Sequence, residues 1–337
     1  MNNEFEKSPI LSIKLRKFRL FKKDKFRNRR KITGLFTFLF LFLILISLLI
    51  YYIIFKTKIQ QKFGFKINNS ELTNSEKSSY QQDDLTLVTA YYKIKSKHTP
   101  EEYLRRIKNF VLLNKSIVFF SNKEFMPTLK ELRPIELHKK SVFIEEEMED
   151  FYTYKNFFDN FTELYKDDFE KRFHNVPLYL IWAEKGTFVK KAISQNYFRS
   201  KCFYWIDIGY FNDRITNMTQ YINDWPKLDK CLEDEKIVLG SVRNYTESEK
   251  ENFVKFDPKE HYKFPRTVNT CGGFFGGQIA NTLKFIEYYY ETVREFIRRK
   301  IFCGKDQTLF AYVAFAHPEV VKLIYMKIYT GFISYLS

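Results

Sequence analysis

The spacing of apolar residues changes along the chain, and the longest apolar stretch lies near the N-terminus. Residues 32–55 contain no charged side chain. A helix rises about 1.5 Å per residue, so this stretch can span the roughly 30 Å hydrocarbon core of a bilayer. Tyr51 and Tyr52 lie near its end, where aromatic rings favour the membrane interface. The pattern predicts one uncleaved transmembrane helix, with a cleaved signal peptide or a buried core helix as alternatives.

Short apolar runs and helical stripes alternate after residue 84. The predicted strands are Leu85–Tyr91, Ser116–Phe120, Leu178–Trp182, Lys201–Gly209 and Lys236–Val242. Helices are predicted after the capping box of Thr99 and Glu102, at Thr162–Arg172, around Phe188–Ile193, and at Asn281–Lys300 and Gln307–Phe315. Alternating strands and helices predict a single α/β domain of Rossmann-like type with a mostly parallel sheet.

The net charge of +16 is concentrated at the N-terminus. Residues 1–33 carry +9 and residues 56–82 carry +3, which leaves +4 for the remainder. A basic run beside a membrane span indicates topology rather than nucleic-acid binding, and it keeps the N-terminus in the cytosol. The sequence therefore predicts a type II membrane protein. Its parts are a cytosolic tail (1–31), a transmembrane signal anchor (32–55), a polar stalk (56–84) and a globular domain (85–337).

The exported part contains the features of a lumenal protein. All four cysteines lie in it: Cys202, Cys231, Cys271 and Cys303. Two disulfides with three connectivities are compatible with this number, and so are four buried thiols. Five Asn-x-Ser/Thr sequons also follow the span. The expected location is the endomembrane system, in the Golgi or ER membrane.

Ligands of open α/β sheets bind outside the carboxyl ends of the strands. Asp207 ends the buried strand FYWI, where a carboxylate is costly unless it binds something. It is the candidate ligand of Mg²⁺ or Mn²⁺, and Asp213 is a weaker second one. The plainer alternative for Asp207 is a loop cap or a partner of a nearby lysine.

Three further segments carry candidate chemistry. In GGFFGG, Gly273 belongs to a loop that either lines a pocket or is a tight strand-to-helix connection. Lys305, Asp306 and Gln307 lie in a break between two helices, where Asp306 is a candidate base or only a helix N-cap. Lys185 is either a partner for a diphosphate or a solvated charge. The scattered histidines and the absence of a Gly-x-Ser-x-Gly motif argue against a zinc peptidase or serine hydrolase.

Six segments from Thr86 to Gln307 resemble, in order and spacing, the HtrL/YibB-type family, which is similar to the GT-A nucleotide-sugar glycosyltransferases. They are TLVTAYYKI, EEYLRRIKNFVLLN, WAEKGTFVKKAI, FYWIDIGYF, GGFFGG and GKDQ. The resemblance covers residues 85–337 and implies a GT-A-like fold. One departure is visible: the sequence reads Asp207-Ile208-Gly209, so the second carboxylate of the Asp-x-Asp metal motif is absent.

The resemblance implies a role for each candidate residue. Thr89, Ala90 and Tyr91 would border the nucleotide base, and Gly273 would line the acceptor side. Asp207 would hold the metal, while Asp306 and Gln307 would reach the donor sugar or act as base. The expected function is sugar transfer from a nucleotide-sugar donor to a glycan, protein or lipid acceptor. A membrane-tethered carbohydrate-binding or scaffolding protein without turnover, and a hydrolase of nucleotide sugars, are the alternatives.

Overall fold

The computed structural model describes residues 80–212, 219–255, 270–327 and 331–337, together with five helical residues near the N-terminus. These five are Phe42, Ile44, Ile46, Ser47 and Ile50. The tail 1–31 and most of the predicted span 32–55 and stalk 56–84 lie outside the described residues. In the part of the chain that the structure describes, no helix is both long and apolar enough to cross a membrane. The chain divides into two units, Met1–Ser70 and Glu71–Ser337.

Strands and helices alternate through the second unit. The strands are β1 (Leu85–Tyr91), β2 (Ser116–Ser121), β3 (Ser141–Glu145), β4 (Cys202–Ile206), β5 (Ile237–Ser241), β6 (Thr270–Gln278) and β7 (Val321–Tyr325). The helices are α1 (Pro100–Phe110), α2 (Met126–Leu132), α3 (Tyr152–Leu164), α4 (Val176–Gln195), α5 (Thr219–Ile222), α6 (Leu228–Glu233), α7 (Glu247–Val254), α8 (Ile279–Arg298), α9 (Asp306–Ala316) and α10 (Phe332–Tyr335).

The described strands form one seven-stranded sheet in the order β3-β2-β1-β4-β6-β5-β7. Only β6 runs against the others, since it pairs antiparallel with both β4 and β5. The prediction of a mixed α/β domain with a mostly parallel sheet is confirmed. The chain builds outward from β1 to β3 and then returns to β4 on the other side of β1, so the strand order reverses between β1 and β4.

Both faces of the central strands are buried, which explains their uninterrupted apolar sequences. In β1, Leu87 and Tyr91 belong to the core on one face, while Val88 and Ala90 belong to the core on the other. Helices α1 and α2 contribute to the first core, and α3, α4, α8 and α9 contribute to the second. The result is a sheet sandwiched between two helical layers.

Helix α1 begins with the predicted capping box. The backbone N–H of Glu102 donates to Thr99 Oγ1 at 3.2 Å, and the N–H of Thr99 donates to Glu102 Oε2 at 2.8 Å. Pro100 occupies the first helical position, where its missing N–H has no helical partner to lose. These contacts place the start of α1 directly after the loop that follows β1.

Two secondary-structure predictions are wrong. The first is a predicted strand that is helical, because short apolar runs look alike in strands and in buried helices, and the second is a helix with the wrong bounds. The predicted strand Leu178–Trp182 is the start of α4, which Asn175 caps through Leu178 N at 2.9 Å. The α4 helix is buried over much of its circumference and so lacks a clear polar face. The predicted helix Thr162–Arg172 overlaps only the end of α3, which begins ten residues earlier, at Tyr152.

The glycine cluster expected to be a loop or connection is strand β6 itself. Tyr204 of β4 faces Gly276 in the register, and Gly276 has φ of +149°. A Cβ at this position would lie 2.1 Å from the Phe203 carbonyl oxygen, so only glycine fits. The β4 and β6 backbones lie so close together that glycine is required in β6. Glycine is uncommon in strands, and for this reason the sequence did not predict a strand here.

One disulfide resolves the alternatives left open for the cysteines. Cys202, at the start of β4, is bonded to Cys231 in α6, and both are buried. Cys271 and Cys303 are buried free thiols. Burial raises the pKa of Cys271 to about 12, so this thiol stays protonated at neutral pH. Disulfides are typical of proteins that reside in oxidising compartments.

Candidate functional site

A cavity of about 350 Å³ opens at the carboxyl edge of the sheet, where the strand order reverses between β1 and β4. Its lining includes Ala90–Tyr92 at the end of β1 and Asp207–Tyr210 after β4. Because β6 is reversed, its first residues Cys271–Gly273 lie at the same edge and complete the floor. This is the position at which open α/β sheets bind their ligands, and the volume suits a small molecule.

A buried lysine lies between two carboxylates at the inner end of the cavity. Lys185 Nζ is 2.6 Å from Asp306 Oδ2 and 2.9 Å from Asp207 Oδ1. It also donates to the carbonyl oxygen of Gly272 at 2.9 Å. Lys185, Asp207 and Asp306 are called the Lys185 cluster below. The ammonium group thus directs its three protons to three oxygens on three different elements.

The two carboxylates of the Lys185 cluster stabilise the buried charge of the lysine. Burial disfavours the charged ammonium, but Asp207 and Asp306 together outweigh this effect and raise the pKa of Lys185 above its ordinary value. Lys185 is therefore charged at neutral pH. The formal charges of two carboxylates and one ammonium group sum to one negative charge beside the cavity.

Asp207 is the member of the cluster that faces the cavity. Its side chain is 40% exposed, against 5% for Asp306. Trp205 Nε1 donates to Asp207 Oδ1 at 2.8 Å, and the Asp207 backbone N–H donates to Gly273 O at 2.9 Å. These bonds fix the carboxylate, and within the described residues Oδ2 has no hydrogen-bond partner. One oxygen of Asp207 is thus held by the protein and the other is open to a ligand.

Glycines at the start of β6 make room for the carboxylates. A Cβ on Gly272 would lie 2.6 Å from each carboxylate oxygen of Asp306, closer than any side chain tolerates. A Cβ on Gly273 would lie 3.3 Å from Asp207 Oδ2. The glycines of GGFFGG therefore allow two close contacts. At the first end, Gly272 and Gly273 lie against the carboxylates of the Lys185 cluster, and at the other end Gly276 lies against the backbone of β4.

Most of the residues predicted from the sequence meet at this cavity. Those that line it are Ala90, Tyr91, Lys185, Asp207, Gly273 and Gln307. Asp306 lies behind the lining and reaches the cavity only through Lys185. Asp306 also begins helix α9, and its Oδ1 accepts from the Gln307 N–H at 2.7 Å.

Two further predicted residues, besides Asp306, do not line the cavity. Thr89 is fully buried on the opposite side of β1 from Ala90, and its hydroxyl has no partner in the described structure. Lys305 Nζ forms an ion pair with Glu170 at 2.6 Å. Asp213 lies outside the described residues.

The sequence prediction missed one wall of the cavity, which helix α1 and the loop before it provide. Tyr103, Arg106 and His98 line this wall. Their only signal in the sequence is that α1 follows β1, the strand at which the order reverses. Trp182, Trp205 and Tyr210 add aromatic surface. Burial and the neighbouring Arg106 lower the pKa of His98, so this ring is neutral at pH 7.

A buried network supports the turn before Asp306. Tyr179 OH donates to Asp168 Oδ2 at 2.5 Å, and His174 Nδ1 lies 2.8 Å from the same oxygen. The ring of Tyr179 packs against Gly304, where a Cβ would lie 2.7 Å from the ring. Tyr179 therefore determines how closely the chain passes just before Asp306. This network had no recognisable signal in the sequence.

The metal-binding capacity of the site rests on a single carboxylate. Among the described residues, no group of three or more His, Cys, Asp or Glu side chains is arranged to hold a metal ion. Asp207 Oδ2 is open and faces the cavity, and one carboxylate together with substrate phosphates can hold Mg²⁺. The residues present fit a metal that arrives with a phosphate-bearing substrate.

The comparisons with known proteins give a family but no activity. The family model described as "Bacterial protein of unknown function (HtrL_YibB)" matches residues 83–337. The match includes all of the described sheet and every residue that lines the cavity. No curated protein matches the chain.

Proposed function

The chain belongs to the HtrL_YibB family, and from the geometry of its cavity we propose that it transfers a sugar from a nucleotide-sugar donor to a hydroxyl acceptor. The observation that carries the proposal is the Lys185 cluster, which presents one open carboxylate oxygen to a cavity at the strand-order reversal. The proposed domain type is the GT-A-like one that the sequence resembles. The mostly parallel sheet with its ligand edge at β1 and β4 supports that assignment.

The donor is proposed to lie across the edge of β1 and β4. Ala90 and Tyr91 would border the nucleotide base, as the resemblance implies, and both line the cavity. Gln307 lines the opposite side and offers an amide to sugar hydroxyls. Gly273 permits close contact of the β6 backbone with the substrate.

Asp207 is proposed to act at the donor diphosphate. Lys185 and Trp205 hold its Oδ1, so its Oδ2 keeps a defined direction into the cavity. A divalent metal ion, when bound, would be held by Asp207 and would supply positive charge to the leaving diphosphate. Without a metal, the same oxygen is placed to accept the proton of an acceptor hydroxyl.

Lys185 and Asp306 are proposed to act through Asp207. Asp306 is nearly inaccessible and paired with Lys185, which makes it a positioning residue rather than the base suggested by the sequence. Its charge keeps Lys185 protonated, and Lys185 in turn orients Asp207. Pre-organised charges of this kind need no rearrangement when the reaction occurs.

In the proposed reaction, the bond between the sugar carbon and the diphosphate oxygen breaks, and the diphosphate keeps the electron pair. The acceptor oxygen forms the new bond to that carbon and loses its proton, which Asp207 Oδ2 would accept when no metal is bound and the leaving diphosphate would accept when a metal occupies Asp207. The protein contributes mainly by holding donor and acceptor in line within a cavity of limited size. Whether the configuration of the sugar is kept or inverted depends on the side from which the acceptor enters.

One specific observation favours a second function, in which the cavity binds a sugar without turnover. Its walls present the rings of Tyr91, Tyr103 and Trp182, and both carboxylates are already paired with Lys185. Aromatic rings and a satisfied ion cluster suit a carbohydrate-binding site. This alternative predicts binding of free glycans and no reaction of nucleotide sugars.

A donor panel tests the proposal with the full chain in detergent. Uridine, guanosine and cytidine nucleotide sugars are titrated by calorimetry and followed for release of the nucleotide, with Mn²⁺ and with EDTA. We expect one donor class to bind and to be hydrolysed slowly. Asp207→Asn should lower turnover by about 100-fold or more, because it removes a charge from the reacting centre.

Asp159→Asn is the matched control, since Asp159 is an exposed carboxylate on α3. It should leave donor binding and turnover unchanged. Absence of donor binding under every condition would overturn the proposed function. Donor binding without turnover, combined with binding of free glycans, would favour the second function.

A further inference from the structure

A basic hollow lies next to the cavity, on the side of helix α1. It has a volume of about 450 Å³ and is formed by residues 93–100, which contain Lys93, Lys95 and Lys97 but no acidic residue. The hollow and the cavity share part of their lining, namely Ile94, Ser96 and His98. The two spaces are therefore neighbours with a common wall.

Arg106 stands in the cavity wall beside this hollow. Its Nε is buried and has no hydrogen-bond partner in the described structure. Its Nη2 lies 3.4 Å from His98 Nδ1, and its Cδ lies 3.5 Å from the position that a Cβ on Gly209 would occupy. The Arg106 side chain thus lies between His98, which lines both spaces, and Gly209 in the turn that follows Asp207. The rest of the Arg106 side chain is only partly buried. A buried N–H donor without a partner is costly unless a ligand accepts from it.

The acidic neighbours leave much of this positive charge uncompensated. Glu102 accepts from the N–H of Thr99 in the capping box, and this bond, with a smaller contribution from Arg106, lowers the pKa of Glu102. Glu102 therefore offsets part of the Arg106 charge but, in the described part of the chain, forms no ion pair with the three lysines. Glu124 lies 4.0 Å from Lys93, and both of these side chains are largely exposed, where an ion pair contributes little. The basic side therefore contrasts with the negative Lys185 cluster.

We propose that Arg106 and the basic hollow bind a phosphoryl group of a substrate. Arginine presents several donors in a planar fork that matches phosphate oxygens, and the surrounding lysines add attraction. Two substrates could bring this group, the donor through its diphosphate or the acceptor as a phosphorylated sugar. The proposal deepens the proposed function and rests on it for the identity of those substrates.

The test measures binding of defined probes to the full chain by calorimetry. The probes are inorganic pyrophosphate, a nucleoside diphosphate with its nucleoside, and a hexose phosphate with its hexose. Arg106→Gln should weaken binding of at least one phosphorylated probe about tenfold or more and leave its unphosphorylated counterpart unchanged. Arg105→Gln is the matched control, because Arg105 is the exposed neighbour on the same helix.

The pattern of losses distinguishes the sources. If Arg106→Gln weakens binding of pyrophosphate and of the nucleoside diphosphate, the subsite belongs to the donor. If it weakens binding of the hexose phosphate alone, the subsite belongs to the acceptor. The variant with Lys93, Lys95 and Lys97 all changed to Gln alters only exposed side chains. It should weaken the same probe and flatten its salt dependence, which keeps the test valid if Arg106→Gln fails to fold.

The proposal is overturned if no phosphorylated probe loses affinity in either variant. That result is separable from failure of the proposed function. Phosphate binding that depends on Arg106, without any sugar transfer, would contradict only the function. Sugar transfer and phosphate affinity that both persist unchanged in Arg106→Gln would contradict only this subsite.

Discussion

At the scale of single residues, the candidate site depends on one cation that is fully enclosed. Lys185 carries a charge in the protein interior because three oxygens surround it, and two of them belong to carboxylates. Replacing one member of such a group leaves the others unpaired, which costs more than the group contributed. The residues of the Lys185 cluster therefore determine stability as well as the proposed activity.

Lys185→Met should lower the free energy of unfolding by about 3–5 kcal/mol, because it leaves two carboxylates without their cation. In the wild type, the contribution of Lys185 is fully present below the unfolded pKa of lysine and is lost only as the pH rises through its raised folded pKa. Urea titrations at several pH values measure both effects.

Lys155→Met is the control for this experiment, since Lys155 forms an exposed ion pair with Asp150 on the surface. It should change stability by less than about 1 kcal/mol at every pH. Equal losses for the two variants would contradict the account of Lys185.

Gly272→Ala should destabilise the protein by about 1–3 kcal/mol, because its methyl group would meet both oxygens of Asp306 at 2.6 Å. Gly209→Ala is the matched variant in the same cavity. There the nearest atoms lie at 3.5 Å, an ordinary contact, so the substitution should be tolerated. Thermal unfolding of the two variants gives the comparison, and a tolerated Gly272→Ala would refute the close approach of β6 to Asp306.

At the scale of elements, helices are fixed to one another by buried side chains from their neighbours. Helix α3 has no cap from its own N-cap residue, Phe151. Instead Glu184 of α4, fully buried, accepts from Tyr152 N at 3.1 Å and from Thr153 N at 2.8 Å. The residue next to Lys185 thus connects α4 to the start of α3. Burial raises the pKa of Glu184 to about 7, although Lys191 partly opposes this.

Glu184→Gln should remove the part of the pH dependence of the unfolding free energy that comes from the Glu184 carboxyl group. A raised carboxyl pKa means that its favourable contribution is present below about pH 4.5 and is lost as the pH rises through about 7. The stability of the wild type relative to this variant should therefore fall between pH 5 and pH 8, by up to about 3 kcal/mol. The measurement is the difference in unfolding free energy across this range.

Glu163→Gln provides the baseline, because Glu163 is a half-exposed carboxylate of α3. The pH dependence of Glu184→Gln is read relative to that of this variant. A flat difference for Glu184→Gln would show that Glu184 is ionised in the folded protein throughout.

At the scale of the whole molecule, an α/β domain follows an N-terminal region with a different composition. The globular part is close to charge balance, whereas residues 1–33 carry most of the excess positive charge. The disulfide between Cys202 and Cys231 lies in the globular part and favours an exported location. We propose that residues 32–55 anchor the chain and that the domain with the cavity lies on the exported side.

Protease protection in sealed vesicles tests this arrangement. With the N-terminus in the cytosol, added protease should remove only the basic tail and leave a fragment that begins near residue 32. Detergent should then allow digestion of the stalk. Digestion of the whole domain without detergent would contradict the topology, and release of the intact chain by alkaline washing would contradict the anchor.

Local patterns determined much of the fold in advance. The capping box placed α1, the 3-4 spacing placed α8, and the apolar run ending in Asp207 placed β4 with its carboxylate at the ligand edge. These features depend on residues close together in the chain. Strands β3 and β7 were not recognised, because they lie at the edges of the sheet and lack a continuous apolar sequence.

The sequence by itself therefore determined the α/β class, the family resemblance, the position of Asp207 and the charge asymmetry of the chain. Only the tertiary structure decided which residues meet. Lys185 and Asp306 are 121 positions apart, and no local pattern joins them. The same holds for Gly276, whose place in a strand follows from the approach of β4, and for Arg106, which reaches the cavity because α1 packs beside Gly209. Contacts between distant segments depend on the packing of whole elements, which local sequence patterns do not encode.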